Sequence, residues 1–497
     1  MSARQDSDNL AWDRSDELWE EAMKEVRKSS TCRKIEAFTT KLFESAATLD
    51  SPILIGGFNV LYPMRIEGLP DKVLVRLPCP NQTIFPEEKS RAEASTASYI
   101  SRYTRIPVPK TFYSGIDSEI GPYMIIQDLG TRRGMGQPLE TPRADLNDTA
   151  VLNPNLPDIE LQSLYAKMAQ CVLQLVQPTF PRIGALVETT PGSYDVTGRP
   201  VTMNMSNMAQ LGNISTSIFH PEGTTYQTAD QWYTALADMQ IATLVFQHND
   251  IVSSEDDCRN KYVARQLFRR LAKQGRLSNF GFVEDDWSAQ SKSHTIPATL
   301  NMPEGSGSFR LWSDDFRPSN VMVDENDEIL GAIDWEFAYV GPTQFVLDPP
   351  WWLLLDVPEM WEHGIEDWTS QYERRLKIWL LAMEEVERDA DTDVLRLSAH
   401  MRGSWVTGRF WLNYAARKSW AFDTIYWKYL DGRFFGKGGE ENATGEQWKS
   451  RVHLLSDKER EAMEPFVREK MEEAKERILV EWDAAEARKR LSSLLYE

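Results

Sequence analysis

Paired cysteines are what this chain most obviously lacks. Only Cys32, Cys79, Cys171 and Cys258 occur, far apart and without a CxxC spacing. That argues against a zinc knuckle and against a disulfide framework, and it leads us to expect reduced thiols and a cytoplasmic location. Long apolar runs are missing too. The longest, such as Trp351 to Leu355, falls far short of a membrane span, and the acidic start MSARQDSDNLAWDRSDELWEE shows no secretory apolar region. A basic excess is absent: 55 Lys and Arg face 75 Asp and Glu, a net charge of −20. Phosphate-rich partners need basic stripes, so neither nucleic acid nor an anionic membrane surface is expected as a partner. The acidity reads first as solubility and only second as a preference for cationic substrates. The six histidines are scattered, with no pair at metal spacing, and none is assigned to chemistry.

The 497 residues are too many for one ordinary core, so two or more lobes are expected. Asp13 to Ala47 reads as helix, with a stripe of Leu18, Trp19, Ala22, Met23 and Val26. From residue 51 the period changes to strand, glycine turn and strand (residues 53–66), then a strand from Val73 to Leu77. A helix over residues 87–104 and strands near 110–113 and 123–126 follow. Residues 131–156 read as a surface connection. After them the pattern is mainly helical, with a regular stripe from Leu161 to Leu175 and a turn-rich insertion at residues 190–225. Helices are expected near residues 239–246, 262–277, 358–387 and 394–417. The end of the chain, from Ser456, reads as a charged helix opened by a Ser456/Glu459 capping box, kinked at Pro465, with an apolar stripe running on to Trp482. The expected division is therefore an N-terminal helical extension (1–50), a small sheet lobe (51–130), a helical lobe (131–435) and a C-terminal loop and charged helix (436–497).

The most informative stretch is Leu311 to Ala338, LWSDDFRPSNVMVDENDEILGAIDWEFA. It reads as a loop, a strand (321–323), an acidic turn and a second strand (329–333). A hairpin folded about residue 327 sets Asn320 roughly opposite Asp334. Asp315 lies on the loop before them. Two carboxylates and a carboxamide at one end of a hairpin form an oxygen-rich set suited to Mg²⁺, with one carboxylate left to handle a proton.

Asp315-Phe-Arg-Pro-Ser-Asn320, an apolar hairpin and Ile333-Asp334-Trp335-Glu336 resemble the core of the aminoglycoside phosphotransferase and choline kinase-like family. The resemblance covers roughly residues 51–425. It is closest to the fungal-type branch, which Ser404-Trp-Val-Thr-Gly-Arg-Phe-Trp-Leu-Asn-Tyr also resembles. It implies an α+β, two-lobed protein kinase-like fold and an ATP- and Mg²⁺-dependent phosphotransferase acting on a hydroxyl of a small molecule. By the same resemblance Asp315 is the catalytic base, chosen over Asp314 by the step to Asn320, while Asn320 and Asp334 hold the metal. Gly56, Gly57 and Asn59 match the nucleotide-covering turn, Arg76 the strand residue on the phosphates and Glu93 its brace. Gln127, Asp128 and Leu129 match the hinge beside adenine. Asp348 matches a buried aspartate that supports the catalytic loop.

Two positions depart from the family pattern. Ser313 stands where the family has histidine, and Arg76 where it usually has lysine. A catalytically weak or inactive kinase-like nucleotide-binding protein is therefore the alternative, and transfer of AMP in place of phosphate a third reading. The tryptophans after residue 350 read as helical core, with an aromatic cage for a quaternary ammonium left open. The acceptor and the oligomeric state are not readable from the sequence.

Overall fold

The computed structural model describes residues 7–143, 149–294, 300–303, 307–390, 395–437 and 445–496. Twelve strands fall within them. Six form one antiparallel sheet: β1 (Ala47–Leu49), β2 (Leu54–Ile55), β3 (Asn59–Ile66), β4 (Val73–Pro78), β5 (Thr111–Gly115) and β6 (Tyr123–Gln127), in the order β1-β3-β4-β6-β5 with β2 also on β3. Alternation along β4 sets the two faces of this sheet. Val73 and Val75 join the core beneath α1 (Asn9–Val26) and α2 (Ser29–Phe43). Arg76 points the other way, toward α3 (Pro86–Tyr103).

The remainder is mainly helical, so the chain has the expected α+β make-up of a small antiparallel sheet and a larger helical part. Its helices of eight residues or more are α4 (Asp158–Leu175), α5 (Met203–Leu211), α6 (Ala229–Phe246), α7 (Glu255–Lys273), α8 (Ile365–Asp389), α9 (Leu397–Thr407), α10 (Arg409–Arg417), α11 (Asp457–Glu473) and α12 (Ala484–Ser492). The short hairpin β7 (Ala185–Thr190) and β8 (Ser193–Gly198) opens the insertion. The stripe along α4 is core, as its spacing requires: Leu161, Leu164 and Met168 are buried. Among the described residues no helix is long and apolar enough to cross a membrane, and the four cysteines are free.

Several local expectations need correction. The first helix breaks at residues 27–28, and β1 follows the second helix, so residues 9–49 hold two helices and a strand. Trp19 lies on the exposed side of α1, while Ala22, Met23 and Val26 are buried. Gly408, at φ 79°, separates α9 from α10; only glycine adopts that turn without strain. At the C-terminus the capping box is present and Pro465 sits inside α11, but the helix ends at Glu473. The apolar stripe beyond it runs through non-helical chain, where Ile478 is exposed, before α12 begins.

The site-bearing segment is assembled from two strand pairs. Strand β9 (Arg310–Ser313) pairs with β12 (Ala338–Gly341), so the loop leaving β9 and the loop entering β12 start side by side. Between them, β10 (Val321–Val323) and β11 (Ile329–Ala332) form the hairpin. The acidic turn closes on Asp324, whose Oδ1 accepts from the Asn326 and Glu328 amides at 2.8 and 2.9 Å. The hairpin is joined to the chain after β6 by Met135 N–H to Val321 O (2.8 Å) and to the chain before β5 by Ala332 N–H to Pro107 O (2.8 Å). Gly134 and Gly331 permit this approach: a Cβ on Gly134 would lie 3.0 Å from Ser319 O, and one on Gly331 2.8 Å from Leu129 Cδ1.

Candidate active site

The hairpin register differs by one from the sequence arithmetic. Val321 faces Ala332 and Met322 faces Gly331, and the pairing shifts between Met322 and Val323. Asn320 therefore lies across from Ile333, whose N–H donates to Asn320 O at 2.9 Å, and Asp334 is one residue further on. Asp334 reaches back by its backbone, which is left-handed at φ 61° and ψ 55°. Few residues without glycine's freedom adopt this conformation; Asp and Asn do so most readily, and such positions concentrate at functional sites.

Asn320 and Asp315 are brought together directly. Asn320 Nδ2 donates to Asp315 main-chain O at 2.8 Å and to Asp315 Oδ2 at 3.0 Å. This turns Asn320 Oδ1 away from Asp315, available as a hard oxygen donor. Asp315 Oδ1 faces Arg317 Nε at 2.9 Å. Burial raises the Asp315 pKa above the ordinary carboxylate range; Arg317 and the Asn320 hydrogen bond pull it down, and the Asp334 charge pushes it up. The two aspartates of the acidic pair face different surroundings. Asp314 is buried, accepting from Trp312 Nε1 at 2.8 Å and from the Met203 amide at the start of α5 at 3.3 Å, with Arg417 at 3.7 Å. Ser313 accepts from the Asp315 amide at 3.3 Å, a modest brace for the loop.

From the sheet lobe, Arg76 spans the cleft. Its Nη1 lies 2.6 Å from Asp334 Oδ1 and its Nη2 3.0 Å from Glu93 Oε1. Arg76 Nε and Nη2 are buried without a well-directed hydrogen bond, donor capacity that an anion entering the cleft can take up. Sequence reasoning missed two partners in this network. Lys89, one turn before Glu93 on α3, is buried against Glu336 and lies over the rings of Phe58 and Phe337 at 5.6 and 5.8 Å. Glu336 also accepts from Asn59 Nδ2 at 2.8 Å. Burial lowers the Lys89 pKa to about 7 and raises that of Glu93, while the neighbouring opposite charges oppose both shifts. The four-residue spacing of Lys89 and Glu93 was the available signal, since it puts both on one helix face.

The remaining expected residues are placed as follows. Gly56 and Gly57 are exposed at the turn before β3; a Cβ would meet only ordinary contact at Gly56 and nothing within 4 Å at Gly57, so the fold itself does not demand glycine there. Asn59 turns inward to Glu336. Gln127 closes β6, with its amide on Lys110 O at 2.8 Å. Asp128 is held by Arg132 at 2.8 and 3.0 Å, and Leu129 packs on the hairpin at Gly331. Asp348 does not contact the catalytic loop through its carboxylate. It accepts from Ser404 Oγ (2.5 Å) and Asn413 Nδ2 (2.8 Å) and faces Arg409 (3.6 Å), tying α9 to α10. The tryptophans after residue 350 divide: Trp352 and Trp411 are core, the latter stacked on Tyr429 at 4.1 Å, whereas Trp351 is half-buried.

Among the described residues no group of three or more His, Cys, Asp or Glu could hold a metal ion. Asn320 Oδ1 and the Asp334 carboxylate, close along the hairpin, are hard oxygen donors of the kind Mg²⁺ takes together with phosphate and water.

Residues 221–388 match the model of the phosphotransferase enzyme family. The matched stretch contains Asp315, Asn320 and Asp334 but not Arg76, Glu93 or the glycine turn. No curated protein matches the chain. Among solved structures, a macrolide 2'-phosphotransferase type I is 12% identical, covering 86% of this chain and 98% of its own, with a TM-score of 0.38. An ethanolamine kinase from Plasmodium vivax is 11% identical over 91% of this chain and 95% of its own, TM-score 0.37. The GDP complex of an aminoglycoside 2'-phosphotransferase is 13% identical over 88% and 98%, TM-score 0.34.

Proposed function

We propose that this protein is an ATP- and Mg²⁺-dependent phosphotransferase that moves the γ-phosphoryl group to a hydroxyl of a small molecule. The observation that carries the reading is the bridge across the cleft: Arg76 joins Glu93 on the sheet lobe to Asp334 on the hairpin, beside the Asn320–Asp315 pair. In this reading Asp315 accepts the proton of the acceptor hydroxyl. A carboxylate raised by burial and oriented by Asn320 and Arg317 suits that task. Arg76, with its unfilled donors, receives phosphate oxygens, and the exposed glycines of residues 56–57 let backbone amides approach them. Asn320 and Asp334 would hold Mg²⁺, which when bound neutralises charge on the triphosphate. The division into extension, sheet lobe, helical lobe and terminal segment is part of the same proposal. The fungal-branch assignment rests on residues 404–414.

One observation favours the second reading, a catalytically weak nucleotide-binding protein. Arg76 already engages Asp334 at 2.6 Å, so the metal ligand has a competing partner. Titration of the purified chain with labelled ATP tests the main reading. Nucleotide binding should require Mg²⁺, and Asp334→Ala should abolish that requirement. A wild-type chain that binds neither nucleotide nor metal overturns it. A screen of a metabolite pool for ATP-dependent mass gain of one phosphate, lost in Asp315→Asn, removes the weak-binder reading; a gain equal to AMP would point to adenylate transfer.

A further inference from the structure

Next to the catalytic loop lies a narrow apolar pocket of about 70 Å³ walled by Trp312, Phe316, Trp351 and Tyr414, and a second, wider pocket of about 290 Å³ is lined in part by Asn204, Trp420 and Lys418. Only the wider one approaches the size of a small-molecule site, about 300–1,000 Å³. Aromatic walls of this kind commonly receive ammonium groups on their ring faces. Here the chain fills those faces itself. The Arg417 guanidinium carbon lies 4.3 Å from the centre of the Trp312 ring and 4.9 Å from that of Phe345. Lys418 Nζ lies 5.7 Å from the Trp351 ring and 5.8 Å from that of Tyr414. An incoming cation meets two resident positive charges where open ring faces would be needed.

The two cations differ in their partners. Arg417 is buried and faces Asp314 at 3.7 Å. Lys418 is half-buried, and among the described residues no carboxylate lies within ion-pair distance of its Nζ. The carboxylates nearby are committed elsewhere: Glu359 accepts from the Tyr414 hydroxyl at 2.7 Å, Asp348 is held by Ser404 and Asn413, and Asp315 faces Arg317. Lys418 also lines the adjoining pocket with Asn204 and Glu359, and its charge is felt at Asp315. An ammonium without a carboxylate partner, lining the wider pocket and acting electrostatically on the base, is a receptor for an anion.

We infer that the acceptor is a hydroxyl compound bearing an anionic group of the carboxylate or phosphate class, which docks on Lys418 while its apolar body lies along Val357, Met360 and Trp420 of the wider pocket. Cationic acceptors are rejected. The inference rests on the phosphotransferase reading and narrows it. It reverses both the preference for cationic substrates and the quaternary-ammonium cage that composition alone allowed.

The test uses two matched aromatic alcohols, 4-(hydroxymethyl)benzoate and 4-(hydroxymethyl)benzylamine, titrated into the full chain and followed by tryptophan fluorescence and ligand-observed NMR. The carboxylate should bind at least about tenfold tighter, the usual weight of a charge-assisted hydrogen bond. Lys418→Met should erase that preference, Lys418→Arg should keep it, and Mg-ATP affinity should be the same in all three proteins. Equal or tighter binding of the amine overturns the inference, as does failure of both probes to bind. So does a Lys418→Met protein that loses Mg-ATP affinity but keeps the probe preference, because the ammonium would then serve the transferring phosphoryl group. A wild-type chain with the carboxylate preference but no Mg-ATP binding would sink the phosphotransferase reading and leave the anion site standing.

Discussion

Replacing Glu336 by glutamine removes one charge from the buried network at nearly constant volume, so no cavity contributes to the outcome. The Glu336 side chain is 5% exposed and that of Lys89 1%. Arg76 Nη2 is 3.7 Å from the same carboxylate, and Asn59 donates to it. Glu336→Gln leaves Lys89 and Arg76 to share Glu93 and Asp334. Removing one partner of a buried pair costs about 3–5 kcal/mol, because the other charge stays buried and uncompensated. An unfolding entropy of roughly 2.1 cal/mol/K per residue, over 497 residues, is about 1 kcal/mol/K, so the melting midpoint should fall by about 3–5 °C. The drop should be larger if the sheet lobe melts on its own, since fewer residues then set the entropy. Scanning calorimetry of wild type, Glu336→Gln, Lys89→Met and the double variant measures it. The double variant should recover much of the loss, with a coupling of about 0.5–3 kcal/mol. Mg-ATP affinity should weaken in Glu336→Gln, because Asp334 lies two residues before it and Asn59 anchors the glycine turn through it. A midpoint within about 1 °C of wild type, or additive single and double variants, would refute the claim that this network holds the site together.

Two further outcomes follow from the same geometry. Asp315→Asn should lower phosphoryl transfer by about 10²–10⁴-fold, the usual contribution of a general base. Its effect on stability runs the other way. Burial raises the native pKa of Asp315, so the native state binds that proton more tightly than the unfolded chain. The stabilisation is fully present below the unfolded value of about 3.9 and is lost as pH rises through the native value. At neutral pH the ionised side chain is thus a cost, and the asparagine variant should melt at or above wild type, an advantage that shrinks in melts repeated toward pH 4. For Gly57→Ala, the new Cβ meets nothing within 4 Å, so the folding stability should hold within about 0.5 kcal/mol of wild type while Mg-ATP affinity falls; unchanged affinity would separate the glycine turn from the nucleotide.

The catalytic hairpin was legible because short runs of Val and Ile flank a turn of Asp, Glu and Asn, a pattern set by local chemistry. Its register was misread because the turn folds about residue 326, with Val323 facing Ile329 and Asp324 N–H on Glu328 O, and the shift between Met322 and Val323 recovers only one of the two residues. Arg76 and Glu93 could be paired through the order of elements, whereas Lys89 carried only its four-residue spacing from Glu93. A helical lysine is solvated unless something covers it, and here the cover comes from Phe58 and Phe337, far apart in the chain. The same reasoning explains the breaks that went unseen. Residues 27–28 interrupt the first helix without proline or glycine, and the stripe beyond Glu473 keeps helical spacing after the helix has ended. In both places tertiary packing overrides local preference.

The aromatic cluster shows where such reading stops. Composition offers core or cage, two alternatives that differ only in what lies on the ring faces. Trp411 is settled by Tyr429, a neighbour close enough in sequence to suspect. Trp351 is settled by Lys418, which no periodicity connects to it. Whether an aromatic face accepts a ligand's charge or already carries one of the protein's own is decided by contacts across the fold. In this chain Arg417 and Lys418 place two positive charges over aromatic rings near the catalytic loop, although the chain as a whole is strongly negative.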